Sequence, residues 1–294
     1  MDLPLVVGVD GSEPSLRAVD WAAEEAALHG IPLRVVHASL WERYERAVFA
    51  SDPGASEQVL TEVIAAAAAK RARRRVPGLD VTSEVVAAAP VPVLRRAARE
   101  ARALVLGARG RGSAAELLLG SVGLAVAGHA DGPVIVVHGG HGSHAGTGAR
   151  GRRVVVGVPG EPANSQAVRF ALREAARRGV PLEAVRAWHR PAPPQTTEHL
   201  WRTGGLARAH RQRAAETLET ALRAPAGECP SVEVRRRLVE GNARTVLLDA
   251  SADAALLVIG ARQPHGHLGL HIGRVTHAVL HHAACPVAVV PERA

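Results

Sequence analysis

Short uninterrupted apolar runs alternate along this chain with longer stretches whose apolar residues recur every three or four positions. Leu5–Val9 is the first run, a strand buried on both faces. From Pro14 to His29 the apolar positions Leu16, Val19, Ala23, Ala26 and Ala27 have helical spacing, with Ser12 placed to cap the helix and Gly30 to end it. A strand follows at Leu33–Ala38, then a polar loop and an Ala-rich helix from Ser56 to Arg75. Val81–Ala87 and Leu104–Gly107 read as strands, with a helix from Val91 to Ala101 between them. A helix from Ser121 to His129 leads into the strand Pro133–Val137. Strands and helices in strict alternation imply a parallel sheet covered by helices on both faces. Ligands of such sheets bind beyond the carboxyl ends of the strands, where the strand order reverses.

The pattern then repeats. Gly30-Ile31-Pro32-Leu33-Arg34-Val35-Val36-His37-Ala38 returns as Gly179-Val180-Pro181-Leu182-Glu183-Ala184-Val185-Arg186-Ala187. Leu104-Val105-Leu106-Gly107-Ala108-Arg109 returns as Leu257-Val258-Ile259-Gly260-Ala261-Arg262, and Gly132-Pro133-Val134-Ile135-Val136-Val137 as Cys285-Pro286-Val287-Ala288-Val289-Val290. Three matches in the same order, 149 to 153 residues apart, mean a duplicated domain rather than a solenoid. The expected organisation is a domain over 1–138, a Gly-rich linker over 139–152 and a second domain over 153–294. A dozen flexible linker residues reach roughly 20 Å, enough for the halves to dock.

Composition narrows the function classes. At 294 residues and 47% apolar content, two ordered globular domains are expected. Met1-Asp2-Leu3-Pro4 lacks the basic and apolar regions of a secretory signal, and no apolar run reaches the ~18–20 residues of a membrane span, so a soluble cytoplasmic protein is the expectation. Cys229 and Cys285 stand alone, far from any C-x-x-C pair, and Cys285 reads as a small buried hydrophobe. The net charge of +8 invites a nucleic-acid reading. Aromatics are only 2% of the chain, however, which leaves little for bases to stack on. The densest basic run, Arg71–Arg75, closes a predicted helix, where cations favour the dipole. Nucleic acid is not the expected partner, and neither is a membrane.

The chemistry concentrates after the fourth strand. Gly107-Ala108-Arg109-Gly110 is followed, nine residues later, by Gly120-Ser121-Val122. Gly107 and Gly110 would let backbone approach a ligand without a Cβ in the way. Gly120-Ser121 opens a helix whose free N–H groups and dipole suit an anion, with the Ser121 hydroxyl as a further donor. Asp10-Gly11-Ser12 ends the first strand beside the same crevice, where a carboxylate could bond a ribose or base or help hold a divalent cation.

On these residues the chain resembles the universal stress protein family. Gly107-x-x-Gly110, nine residues, Gly120-Ser121 matches that family's ATP-binding pattern, and Val6-Val7-Gly8-Val9-Asp10-Gly11-Ser12 matches its opening strand. The resemblance implies two Rossmann-like (adenine nucleotide alpha hydrolase-like) α/β domains, each a five-stranded parallel-type sheet sandwiched by helices. It implies ATP, with or without magnesium, as cofactor. It also implies a binding set of Asp10, Gly11, Ser12, Ala38, Gly107, Arg109, Gly110, Gly120, Ser121 and Val122. An intrachain pseudo-dimer is implied as well, with a homodimer of the chain as a further option.

The second copy departs from the pattern. Asp10 corresponds to Pro159, Gly110 to Gln263 and Ser121 to Arg274, while Gly260 and Gly273 remain. It is expected to bind no ATP, or to bind it weakly, and to serve as a structural partner. His277 and His281 are four apart on a predicted helix and could share a ligand, but no acidic residue between Pro264 and Val290 stands by to complete a metal site. Solvated or capping histidines are the expectation there. No general base or nucleophile is poised beside the glycine motif, so the expected activity is regulatory nucleotide binding in the stress response with at most slow, incidental hydrolysis. Two alternatives stand beside it. One is a nucleotide-free interaction scaffold using the loops 39–55 and 188–205. The other is an adenylate-forming enzyme, disfavoured because Asp10-Gly11-Ser12-Glu13 stands where a Ser-Gly-Gly loop is needed.

Overall fold

The computed structural model describes residues 3–40, 54–108, 119–138, 153–160, 166–189, 205–262 and 272–292. Outside them lie Arg109, Gly110, Arg111, Gln263, His265, His267, His271, the linker over 139–152 and most of the loops 39–55 and 188–205. The first half runs β1 (Leu5–Val9), α1 (Glu13–His29), β2 (Leu33–Ala38), α2 (Gly54–Arg75), β3 (Val81–Val86), α3 (Pro90–Arg99), β4 (Ala103–Gly107), α4 (Ser121–His129) and β5 (Val134–Val137). The second half repeats the order with β6 (Arg153–Gly157), α5 (Gln166–Arg178), β7 (Leu182–Trp188), α6 (Gly205–Glu228), β8 (Val234–Glu240), α7 (Ala243–Ser251), β9 (Ala254–Arg262), α8 (Arg274–His282) and β10 (Val287–Glu292). Among the described residues no helix is long and apolar enough to cross a membrane.

Local chemistry places the elements. The Ser12 side chain accepts the Ser15 N–H at the start of α1, and Gly30 ends that helix at φ 65°, a left-handed conformation that glycine adopts at little cost. Gly179, at φ 62°, follows α5 in the same way. Helix α3 starts with a proline, whose fixed φ suits the first turn.

The two five-stranded sheets form one. The strand order is β3-β2-β1-β4-β5-β10-β9-β6-β7-β8. All pairings within each half are parallel, whereas β5 and β10 meet antiparallel, in register Val134↔Val289, Ile135↔Ala288 and Val136↔Val287. Ile135 and Ala288 are counterparts in the repeat, so the pseudo-twofold axis passes through this pair, normal to the sheet. Helices α1, α2, α5 and α6 therefore cover one face of the whole sheet, with Val19, Ala22, Ala72, Leu172 and Leu222 fully buried. Helices α3, α4, α7 and α8 cover the other, around Ala98, Val126, Ala250 and Val279. Cys285 is fully buried on that second face, as a small hydrophobe.

Two arginines of the basic run at the end of α2 are tied to α1. Arg71 donates two bonds to Asp20 on α1, at 2.7 and 2.6 Å, and Arg75 pairs with Glu24 one turn further on. These cations tie α2 to α1 and are partly neutralised by the carboxylates they face.

Candidate functional site

In the first half β1 lies between β2 and β4, so the strand order reverses at the β1/β4 boundary. The carboxyl edge there gathers Asp10, Gly11 and Ser12 after β1, Ala38 at the end of β2, and Gly107 at the end of β4. Gly120, Ser121 and Val122 join them, because the Gly120 N–H donates to the Ala108 carbonyl just past β4 at 3.0 Å. Arg109 and Gly110 lie between these anchors and outside the described residues.

Asp10 shapes its own turn. Its Oδ1 accepts the Ser12 N–H at 3.0 Å and the Ser12 hydroxyl at 2.5 Å, while Gly11 between them takes φ 78°. The turn is thus an Asx-type loop that leads straight into the capped end of α1. Asp10 and Ser12 remain half-buried. His37 on β2, which no sequence signal marked, is buried, with its Nδ1 2.8 Å from the Val9 carbonyl at the end of β1.

The two glycines of the pattern do different jobs. A Cβ on Gly107 would lie 2.5 Å from the Pro14 carbonyl oxygen and 2.9 Å from the Ser15 nitrogen. The space left by its missing side chain is filled by the first turn of α1, where the sequence pattern suggested a ligand. Gly120 is different. Its backbone is extended, φ −61° and ψ 153°, which any residue can adopt. No side chain caps α4 among the described residues, its first turn carries no acidic residue, and Ser121 is exposed. The orphan N–H groups of α4 thus open toward the carboxyl edge, an arrangement that favours an anion.

The equivalent edge of the second half is built differently. There Glu292, the last residue of β10, is buried, and its carboxylate accepts the Ala167 N–H at 3.0 Å and the Gln166 N–H at 3.3 Å. It caps the start of α5, and Gly260 makes room for it: a Cβ there would lie 2.9 Å from Glu292 Oε1. The first-copy counterpart of Glu292 is Gly139, which has no side chain to do this. Arg186, the counterpart of His37, donates to the Val158 carbonyl at 3.2 Å, and burial pushes its guanidinium below the usual range. Pro159 and Arg274, which replace Asp10 and Ser121, are exposed. A carboxylate of the chain itself thus lies at this edge.

A second cluster sits on the pseudo-axis, where α1 meets α5. Glu25 and Glu174 are repeat counterparts, as are His29 and Arg178. The His29 Nε2 lies 3.1 Å from Glu25 and 3.2 Å from Glu174, and Arg178 donates to Glu174 at 2.8 Å and to both oxygens of Glu25 at 2.8 and 2.7 Å. Arg102 approaches Glu174 at 3.5 Å. Burial pushes the Glu174 carboxyl up, but the His29 bond and the Arg178 charge outweigh it and hold it at about 2. Burial likewise lowers His29, yet its bonds to Glu174 and Glu25 leave it raised. The ligand atoms of Glu25, His29 and Glu174 lie within 4.8 Å of one another, the span of a metal site. Arg178, His29 and Arg102 together supply the positive charge that two buried carboxylates need, so the cluster reads as an ion network across the halves. The signal was present in the repeat: charged residues at the same two positions of both first helices.

The family model for the universal stress protein family matches residues 3–138 and again 151–291. The chain belongs to the universal stress protein family. It is 35% identical over 301 residues to a universal stress protein of Mycobacterium tuberculosis, covering 98% of this chain and 97% of that one. It is 32% identical over 306 residues to a universal stress protein of Mycolicibacterium smegmatis, with 98% and 97% covered. The fold is that of a universal stress protein from Archaeoglobus fulgidus, with a TM-score of 0.68 at 17% identity and 98% of each chain covered.

Proposed function

We propose that this universal stress protein is a nucleotide-binding regulatory module that holds ATP, with or without magnesium, at the carboxyl edge of its first half. The carrying observation is the Gly120-Ser121 turn. It is an uncapped, acid-free helix start with an exposed hydroxyl, closed onto the end of β4 by the Gly120–Ala108 bond. Glycine there is not demanded by the backbone conformation, and a residue without a side chain leaves the N–H groups of the turn approachable by a phosphate. Asp10, Gly11, Ser12 and Ala38 line the edge where ribose and base would lie, and Arg109 and Gly110 complete the sequence pattern. In the second half Pro159 and Arg274 stand where Asp10 and Ser121 would be needed, and this half acts as a structural pseudo-partner. Bound nucleotide acts through the shape of the module, and any hydrolysis is slow and incidental.

The test is titration calorimetry of nucleotide-stripped protein with ATP and magnesium. One site per chain is expected, lost in Gly120→Val and kept in Gly273→Val, because a Cβ at Gly273 meets nothing within 4 Å. No heat with wild type, and no nucleotide released when the purified protein is denatured, would leave the interaction scaffold as the function.

A further inference from the structure

On the face of the sheet opposite the ion network, α8 of the second half reaches the Gly120 turn of the first. The Leu119 N–H donates to His281 Nδ1 at 2.9 Å, and both residues are buried. The reverse tie lies beside it, with His138 Nε2, past the end of β5, 2.7 Å from the Leu280 carbonyl. Leu119 directly precedes Gly120. Its side chain lies under the first turn of α4, so that a Cβ on Gly123 would be 3.0 Å from it. The turn is therefore held at two neighbouring backbone atoms. Gly120 N is held by Ala108 of its own half, and Leu119 N by a side chain of the other half.

The pseudo-twofold axis makes the asymmetry legible. The counterpart of His281 in the first copy is Gly128, and the counterpart of Leu119 is Ile272. Gly128 has no side chain to offer Ile272. The turn with the intact Gly-Ser pattern thus receives a histidine from the other half, whereas the position that would serve the turn before Arg274 is a glycine, and the reverse tie from His138 goes to the Leu280 carbonyl instead. His138 is equally one-sided, since its counterpart is Pro291.

We infer that the second half completes the first half's anion site, with His281 as a positioning residue that fixes the Leu119-Gly120-Ser121 turn in the geometry a phosphate requires. The inference rests on the nucleotide reading above. His281 touches no ligand; it removes the freedom of the turn before the ligand arrives, so that ordering the turn costs nothing at binding. The effect belongs to phosphate contacts and not to the adenosine part, which lies toward Asp10 and Ala38 on the other side of β4.

The experiment compares ATP–magnesium and adenosine affinities by calorimetry for wild type, His281→Phe, His281→Asn and His282→Ala. Phenylalanine fills the buried space but has no acceptor for the Leu119 N–H, whereas the asparagine carbonyl can accept it. His282 is exposed and serves as a control on the same helix. Loss of one such bond should weaken ATP about three- to tenfold in the phenylalanine variant, with adenosine unchanged and with recovery in asparagine. Equal loss for ATP and adenosine, or an unchanged ATP affinity, overturns the role of His281 while leaving the nucleotide site intact. Absence of ATP binding by wild type overturns the nucleotide reading, and the inference with it. Should the phenylalanine variant not fold, His281→Leu removes the acceptor with a smaller apolar side chain and carries the same expectation.

Discussion

Four side chains at the pseudo-axis show how charge is placed inside this protein. Glu25, Glu174 and His29 are buried and Arg178 nearly so, and each carboxylate is shared by a cation from its own helix and one from the other half. Within the four side chains the charges cancel when His29 carries its proton, and Arg102 adds a further, more exposed cation beside Glu174. Because the fold raises the His29 pKa, its stabilising contribution is complete below the unfolded-state value and fades as pH rises through the folded-state value. Glu174 behaves oppositely: its contribution is present above the ordinary carboxylate range and is lost as pH falls toward about 2. Urea unfolding of wild type and His29→Gln across pH 6 to 9 checks the first statement. The stability gap between the two should shrink as pH rises, with about 1.4 kcal/mol corresponding to each unit of raised pKa; parallel curves would show that the proton on His29 does not matter. Removing Arg178 is harsher, since Arg178→Met leaves two buried carboxylates with His29 and the more exposed Arg102 alone, at a cost of about 3–5 kcal/mol.

At the scale of elements, one repeat position shows how the same residue is used twice for different packing. Gly107 lets β4 touch the backbone of α1, whereas Gly260 lets β9 accommodate a side chain, that of Glu292. Backbone cannot yield cheaply, so Gly107→Ala should cost about 1–3 kcal/mol or more in thermal or urea unfolding. Gly260→Ala should cost less, since the carboxylate can swing aside and forfeit only part of its cap on α5. Equal losses would mean that Glu292 is held as rigidly as the Pro14 carbonyl. Much of this level was legible in the sequence. Apolar runs and helical spacing located β1, α1, β2 and α4, and Ser12 and Gly30 marked the ends of α1, because caps and left-handed glycines are local chemistry. The repeat and the Gly120-Ser121 turn were legible for the same reason. What stayed hidden is non-local. Glu25 and His29 are polar residues one turn apart on α1, and nothing within α1 says that α5 will cover them. Gly107 looked like a ligand-facing glycine, and only the packing of α1 shows whose backbone occupies the space. Glu292 becomes visible as a partner only once β10 lies beside β9 under α5, and His281 only once the antiparallel join brings α8 to the first half.

The whole molecule is defined by that join. A five-stranded sheet ending in an apolar strand such as Val134-Ile135-Val136-Val137 leaves a row of unpaired N–H and C=O groups, which invites pairing with another copy. In this chain the second half supplies the partner strand, Val287–Val290, centred on the Ile135–Ala288 pair, so this edge is already taken. The outer edges are poor substitutes. The central residues of β3, Thr82-Ser83-Glu84, are exposed, and β8 presents the exposed run Arg235-Arg236-Arg237, held by Glu233, Glu219 and Glu183. Charged and polar edge strands resist addition of a further strand, and like-charged arginines would face one another if two β8 edges met. A chain that has folded its own partner into one continuous sheet should therefore be a monomer. Light scattering of the purified protein at tens of micromolar should give a mass near 30.7 kDa, with and without ATP and at both low and high salt. A doubled mass that persists at low salt would place a second interface on the helical faces, since neither strand edge favours one. A doubled mass only at high salt would instead implicate the screened arginine edge of β8.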